Sequence, residues 1–137
     1  MTTHKAELIK EMFDLGRYIN SNQSKSNLTM IQLRTVMFVA EQGRVKPTNI
    51  ASHFAITPAS VTSQIDTLVE EGWLKREPNA NDKRVLEVIV TKKGKTLLPK
   101  ELENLEKNSE WVFTTLNSDE QKSLLELLKK VNNSAKR

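Results

Sequence analysis

Cysteine is absent from the 137-residue sequence, and aromatic residues make up only 5% of it. The lack of cysteine excludes a disulfide framework, a thiolate metal site and thiol-based redox sensing within this chain. Glycine and proline number four each, and with few strand-forming aromatics this composition predicts a mostly helical protein. No apolar run is long enough to cross a bilayer, and the first residues lack a signal-peptide hydrophobic segment. We therefore expect a cytoplasmic protein that has no membrane partner.

Histidine is also scarce, and the sequence offers no catalytic motif. His4 and His53 are the only histidines, and His53 has no nucleophile or metal ligand at a useful spacing. No glycine-rich loop of the kind that cradles phosphate is present. We therefore expect neither an enzyme nor a protein with a bound metal or cofactor.

The most informative stretch is residues 47–74, PTNIASHFAITPASVTSQIDTLVEEGWL. Apolar residues spaced by three and four predict a short helix followed by a longer one. Thr57 is a good N-cap and Pro58 a good first residue for the second helix, and Gly72 suits its C-terminal cap. The inner side of this second helix is expected to consist of Val61, Ile65, Leu68 and Val69. The pattern is that of a helix-turn-helix.

The outer side of the second helix carries short polar side chains: Ser60, Thr62, Ser63, Gln64 and Thr67. Short hydroxyls and an amide let a helix approach base edges and phosphates closely, whereas a helix facing only solvent usually carries Glu, Lys and Arg. In a helix-turn-helix the N-terminal part of the second helix lies in the major groove. We predict that the major-groove contacts are made by Thr57, Ser60, Thr62, Ser63 and Gln64. An ordinary surface helix is the alternative for this face taken alone.

After Gly72 the period changes from helical to alternating, which predicts a β-hairpin. The first strand begins at Trp73 and Leu74, and the second alternates Leu86, Val88 and Val90 with Glu87 and Ile89. The connecting segment EPNANDKR is rich in turn formers and charge. A basic hairpin that follows a recognition helix is typical of a wing.

The tip of the predicted wing is expected to reach the DNA minor groove through Asp82, Lys83 and Arg84. The negative potential of a narrow minor groove favours a guanidinium there. A carboxylate two residues before Arg84 can hold that guanidinium in its fork geometry. A loop ion pair that contributes almost nothing is the alternative reading of the same spacing.

The basic excess of the chain is concentrated just after the presumed recognition helix. Residues 73–100 hold eight Lys or Arg against three Asp or Glu, although the whole chain has a net charge of only +4. This excess can add a phosphate-binding surface, for which we predict Lys92 and Lys93. A solvated charged face is the alternative.

Amphipathic helices flank this central part. Residues 5–20 carry an apolar stripe, a polar linker follows at residues 21–27, and two further amphipathic helices are predicted after residue 91. These helices are not needed to complete a helix-turn-helix core, so a homodimer explains their apolar sides best. A two-fold dimer presents two recognition helices, and its expected target is a double-stranded pseudo-palindrome.

In this order the elements resemble the MarR family of winged helix-turn-helix transcriptional regulators, over nearly the whole chain. The resembling segments are LTMIQLRTV, IASHFAITPASVTSQIDTLVEEGWLKR and NDKRVLEVIVTKKG. The wing gives the strongest resemblance, through Asp82, Arg84, Val88, Val90, Thr91 and Gly94. The fold it implies is mainly α with a small β wing (α+β), in one MarR-like domain over residues 1–137. Residues 28–91 would form the DNA-binding lobe, and residues 1–24 and 92–137 the dimerisation helices.

The resemblance also carries functional expectations. It implies a sequence-specific DNA-binding homodimer that represses transcription and is released by a small aromatic or phenolic effector. Arg76 would lie at the base of the wing, as a structural residue or a phosphate contact. Ala55 stands where the family often has glycine in the turn, which requires either a strained φ or a different turn. Without cysteine, the peroxide-sensing branch of the family is excluded.

A winged helix used only for protein contacts is the main competing function, with the basic wing meeting an acidic partner. The outer face of the second helix separates the two ideas. A protein interface would favour Tyr, Trp, Met or a larger apolar patch over small hydroxyls. The expected function is therefore DNA binding.

Overall fold

A computed structural model describes residues 3–21 and 28–135, so most of the predicted linker lies outside the described residues. The elements in chain order are α1 His4–Ser21, α2 Met30–Gln42, α3 Pro47–Phe54, α4 Pro58–Glu70, β1 Leu74–Pro78, β2 Leu86–Val90, α5 Lys92–Asn108, α6 Glu110–Thr115 and α7 Ser118–Ala135. The predicted class, mainly α with a small antiparallel wing, is confirmed. Among the described helices, none combines the length and apolar character needed to cross a membrane.

The chain divides into two compact units. We call residues 23–104 the winged unit and residues 1–22 together with 105–137 the helical unit. The helix α5 begins in the winged unit and ends in the helical unit.

Local sequence signals set the bounds of α2. The Thr29 hydroxyl accepts from the Gln32 amide, and the Gln32 side chain accepts from the Thr29 amide, which completes the predicted capping box. Gly43, with φ of 78°, ends the helix and donates to the Val39 carbonyl. A positive φ at this position is easily reached only by glycine.

The core of the winged unit lies between α2, α3, α4 and the hairpin. Its buried apolar side chains are Leu28, Leu33, Val36, Val39, Val45, Ile50, Ala51, Val61, Ile65, Leu68, Trp73, Leu74, Val88 and Val90. Their spacing on each helix follows the expected three-and-four pattern. The predicted inner side of α4 is thereby confirmed, although Val69 is only half-buried.

The hairpin pairs β1 with β2 in antiparallel register, from Leu74 opposite Val90 to Pro78 opposite Leu86. Val45 adds a single bridge to Val88, as its predicted brief strand requires. The burial of β2 departs from strict alternation, because Leu86 is exposed while Glu87 is buried. Leu86 lies at the outer end of the ladder, beyond the core that covers Val88 and Val90.

The helical unit contains α1, the end of α5, α6 and α7. The chain leaves the helix at Ser109, where ψ is 12°, so the segment after residue 91 forms three helices rather than the two predicted. Asn117 and Glu120 exchange the two hydrogen bonds of a capping box before α7. Gln121 donates to the carbonyls of Phe113 and Leu116.

The helical unit exposes much of its apolar surface. Among the described residues, its strongly exposed large apolar side chains are Leu8, Ile9, Met12, Phe13, Tyr18, Trp111, Phe113, Leu125, Leu127, Leu128 and Val131. Among residues 28–104, the described part of the winged unit, only Leu86 is comparable. Neither α1 nor α7 contains a buried residue. Contiguous exposed apolar surface of this kind marks an interaction face.

Candidate nucleic-acid interface

The turn between α3 and α4 is built around a left-handed alanine. Ala55 has φ of 54° and ψ of 44°, so the strained φ, rather than a different turn, is what this sequence adopts. A left-handed conformation costs a non-glycine residue roughly 1–2 kcal/mol. The turn is held by the Ile56 amide, which donates to the Ala51 carbonyl at 3.1 Å.

The side chain of Thr57 caps the N-terminus of α4. Its Oγ1 accepts from the Ser60 amide at 3.1 Å and donates to Ser60 Oγ at 2.9 Å. Pro58 follows as the first helical residue, where its missing N–H has no helical partner to lose. Both predictions for this helix start are confirmed, and the hydroxyl of Thr57 is engaged within the helix cap.

The predicted major-groove residues lie on α4 and around its first turns. Ser60, Thr62 and Ser63 are exposed, whereas Gln64 is half-buried on the flank beside the buried Ile65. Thr62 Oγ1 donates to the Pro58 carbonyl at 3.0 Å. The structure therefore brings three short side chains together on the open side of the helix.

An ion pair links α4 to the base of the wing. The guanidinium of Arg76 on β1 donates to the carboxylate of Asp66, which lies on the exposed side of α4. Asp66 was not singled out by the sequence, because residues ten apart on different elements have no local pattern that joins them. The pair fixes the orientation of the hairpin against the helix, which is the structural role considered for Arg76.

At the wing tip, Arg84 and Asp82 form the predicted ion pair, in which two guanidinium nitrogens bond to the carboxylate; we call this pair the arginine fork. Arg84 Nε donates to Asp82 Oδ1 at 3.1 Å and Nη2 donates to Oδ2 at 3.3 Å. The Arg84 amide adds a bond of 3.1 Å to Oδ1. These side-chain and backbone bonds from Arg84 hold the pKa of Asp82 below its usual value. The Arg84 side chain is 91% exposed.

The loop behind this fork is ordered by Asn79. Its side-chain oxygen accepts from the backbone amides of Asn81 and Asp82, and its backbone amide donates to the Val85 carbonyl. The Val85 amide donates to the Asp82 carbonyl at 3.0 Å and closes the turn. Lys83, which lies inside this turn, is exposed. The tip therefore presents Lys83 and Arg84 from a hydrogen-bonded frame.

A cluster of charged side chains lies at the inner part of the hairpin. Glu77 and Glu87 face each other across the ladder, an arrangement that is unfavourable for like charges. Arg44 offsets it, with Nη2 donating to Glu77 at 2.8 Å and Nη1 at 3.6 Å from Glu87. Hydrogen bonds from Arg44 and then Lys75 lower the pKa of Glu77. The cluster accounts for the buried carboxylate in β2.

The start of α5 is tied to the base of the wing. The Thr91 hydroxyl donates to the carbonyls of Gly72 and Trp73 and accepts from the Gly94 amide. A Cβ at Gly94 would lie 2.5 Å from the Trp73 carbonyl oxygen, so only glycine fits. This close approach explains a glycine that the sequence identified without giving it a role.

The predicted phosphate contacts are spread over different places. Lys93 Nζ donates to the Glu71 carbonyl at 3.1 Å, at the C-terminal end of α4, opposite the end that Thr57 caps. Lys92 is exposed in the first turn of α5. Lys93 thus lies at the C-terminal end of α4, and not beside the hydroxyls near its N-terminus.

A helix-turn-helix followed by a two-stranded wing with an exposed arginine defines a winged helix-turn-helix protein. A model of the MarR family matches residues 28–86. The multiple antibiotic resistance protein MarR of Escherichia coli is 29% identical, with the match covering 92% of this chain and 96% of that protein. Over residues 28–86 the chain is therefore similar to the MarR family, and over most of its length it is similar to MarR itself.

Two further relatives bear on function. The transcriptional repressor YetL of Bacillus subtilis is 26% identical over 67% of this chain, and the match spans 59% of YetL. A mutant of Escherichia coli MarR, whose structure was solved in complex with operator DNA, is 25% identical with a TM-score of 0.71, covering 91% of both chains. The family resemblance predicted from the wing and the helix-turn-helix is confirmed.

Proposed function

We propose that this protein is a homodimeric repressor that binds a pseudo-palindromic double-stranded DNA operator. One observation supports it above the others: a slim, exposed hydroxyl face and an exposed arginine fork occur on the same winged unit, joined by the Arg76–Asp66 pair. The operator complex of the Escherichia coli relative and the repressor name of YetL agree with this function.

In this proposal Ser60, Thr62 and Ser63 face base edges in the major groove. Thr57 contributes through the helix cap, because its hydroxyl is already engaged there. Gln64 contacts the groove from the flank of α4. Small side chains on this face let the helix backbone come close to the bases.

The wing would enter the adjacent minor groove with Arg84, aligned by Asp82 and accompanied by Lys83. Lys92 and Lys93 supply positive charge near phosphates. Arg76 acts mainly as a positioning residue, because its guanidinium is paired with Asp66. The aromatic and apolar surface that would favour a protein-binding module is lacking on the exposed hydroxyl face of α4.

The homodimer would be formed by the helices of residues 1–24 and 92–137, with residues 28–91 as the DNA-binding lobe. The exposed apolar side chains of α1 and α7 support this division. A second copy would remove them from water, which is the main driving force for association. Two copies present two recognition helices, and hence two half-sites.

Release by a small aromatic or phenolic effector is also part of the proposed function. The helical unit contains an apolar pocket of about 260 Å³ whose lining is Ile19, Leu105, Glu106, Ser109, Val112 and Phe113. Ligand sites are commonly of this size class and apolar character, with a few polar groups at the edge. The pocket gives such an effector a place to bind.

Selection of bound duplexes from a random pool tests the operator directly. We expect an inverted repeat whose half-sites are one or a few helical turns apart, bound by two chains per duplex in sedimentation analysis. Duplex retention without a repeat would contradict the dimeric mode of binding. The absence of any retained duplex at low ionic strength would contradict DNA binding altogether.

The Arg76–Asp66 pair gives a prediction about positioning. We expect Arg76→Ala and Asp66→Ala each to weaken operator binding by about 3- to 10-fold at constant salt, because the wing loses its fixed angle to α4. The number of ions released on binding should change little in Asp66→Ala, since no cation is lost. Fluorescence anisotropy at several salt concentrations measures both quantities.

Two results would separate positioning from a direct phosphate contact. If Arg76 contacts phosphate, Arg76→Ala lowers the salt slope by about one ion while Asp66→Ala strengthens binding. If the pair positions the wing, the double variant is no worse than either single variant.

A further inference from the structure

The recognition helix α4 contains no lysine or arginine. From Pro58 to Glu70 its sequence is PASVTSQIDTLVE. After Pro58, the exposed side chains of this helix are Ala59, Ser60, Thr62, Ser63, Asp66 and Glu70, and Gln64 and Thr67 are half-buried. The nearest arginine contact to this helix is Arg76, whose guanidinium is held by Asp66. A DNA-reading helix without a cation limits which bases it can recognise.

We propose that α4 reads A·T base pairs, so that the part of each half-site beneath it is A·T-rich and no guanine contact is required. This inference rests on the proposed function and specifies its ligand. The commonest specific contact to guanine is a bidentate one from Arg or Lys to O6 and N7. No residue of α4 can make that contact.

The threonine hydroxyls of α4 and of its N-cap donate their protons to other groups of the protein. Thr62 donates to the Pro58 carbonyl at 3.0 Å, and Thr67 donates to the Ser63 carbonyl at 3.1 Å. Thr57 donates to Ser60 Oγ. A threonine engaged in this way offers its γ-methyl and oxygen lone pairs to the groove. A methyl group suits the C5-methyl of thymine, and an acceptor suits the N6 amino group of adenine.

The wing has the same preference by a different mechanism. The Arg84 side chain is 91% exposed, and a narrow A·T minor groove attracts its guanidinium. In a G·C pair the N2 amino group of guanine occupies the minor groove. Both DNA-reading elements of the winged unit therefore select A·T pairs, one from each groove.

Inosine substitution distinguishes contacts in the major groove from contacts in the minor groove. An inosine·cytosine pair resembles G·C in the major groove and A·T in the minor groove. Starting from a selected duplex, each A·T pair of one half-site is replaced in turn, and Kd is measured. Beneath α4 we expect binding to weaken about 5- to 150-fold per pair. Beneath the wing we expect a change of less than about twofold, whereas G·C at the same wing positions weakens binding.

Thymine methyl groups provide a second, matched test. Replacing thymine by uracil removes one methyl, and we expect a loss of about fourfold at each contacted position. The variant Thr62→Ser keeps the hydroxyl and removes only the γ-methyl. At the thymine that Thr62 contacts, uracil should have no effect in Thr62→Ser, although it weakens binding by the wild type.

The outcomes are distinct. A selected operator with required G·C pairs beneath α4, or tolerance of inosine·cytosine there, overturns the A·T preference while leaving DNA binding intact. Uracil that is neutral at every position overturns the methyl contact. Failure to retain any duplex overturns the proposed function itself.

Discussion

Leu127→Glu is expected to yield a folded monomer that binds a two-half-site operator about 100-fold or more weakly than the wild type. Leu127 is 61% exposed in the single chain, so its own subunit does not depend on it for folding. In the proposed dimer a glutamate there would place a charge in an apolar interface. Loss of the second half-site removes an effective-concentration advantage of roughly 10²–10⁴. Sedimentation equilibrium and operator titration measure the two effects.

Asn133→Glu is the matched control for this variant. Asn133 is also exposed on α7, but it lies away from the apolar stripe that contains Leu124, Leu128 and Val131. It adds the same charge to the same helix, and we expect the dimer and the affinity to be retained. A dimeric Leu127→Glu, with an unchanged helical circular dichroism signal, would exclude this part of α7 from the interface.

Arg84→Ala is expected to weaken operator binding by about 1–3 kcal/mol for each wing, and so by roughly 2–6 kcal/mol for a dimer with two wings. The guanidinium makes its fork with Asp82 and is otherwise open to solvent. It therefore reaches DNA without first breaking a contact to the core. The loss should be largest for operators with A·T pairs beneath the wing, because their narrow minor groove attracts arginine most.

Three variants refine this prediction. Arg84→Lys keeps the charge but not the fork, and it should recover only part of the affinity. Asp82→Asn should have an intermediate effect, because it leaves Arg84 present but less well aligned. Lys122→Ala removes a charge from α7 and should leave binding almost unchanged. If Arg84→Ala binds as tightly as the wild type, the wing has no part in recognition.

Much of the fold follows from local sequence signals. The capping box of Thr29 and Gln32, the cap of Thr57 and the glycine at the end of α2 all lie where the sequence predicted. Each depends on interactions within a few residues, so propensity and spacing are sufficient to find it. The Asp82–Arg84 fork is of the same kind, since its partners are two residues apart.

Contacts between residues on different elements could not be predicted from local sequence patterns. The pairing of Arg76 with Asp66 and of Lys93 with the Glu71 carbonyl depends on how α4, the hairpin and α5 pack together. Buried Glu87 broke the expected alternation because Arg44, far away in sequence, compensates its charge. Charge alone predicts Lys92 and Lys93 as phosphate contacts, and the family resemblance leaves a structural role or a phosphate contact open for Arg76, because the partners of these side chains lie on other elements.

The contact between Gly94 and the Trp73 carbonyl has a mechanical consequence. Thr91 holds the first turn of α5 against the hairpin, and no side chain separates the two at Gly94. We therefore expect this turn and the base of the wing to stay together. Pro99 lacks the N–H that would continue the helical hydrogen bonding, so bending of α5 would cost least at that residue.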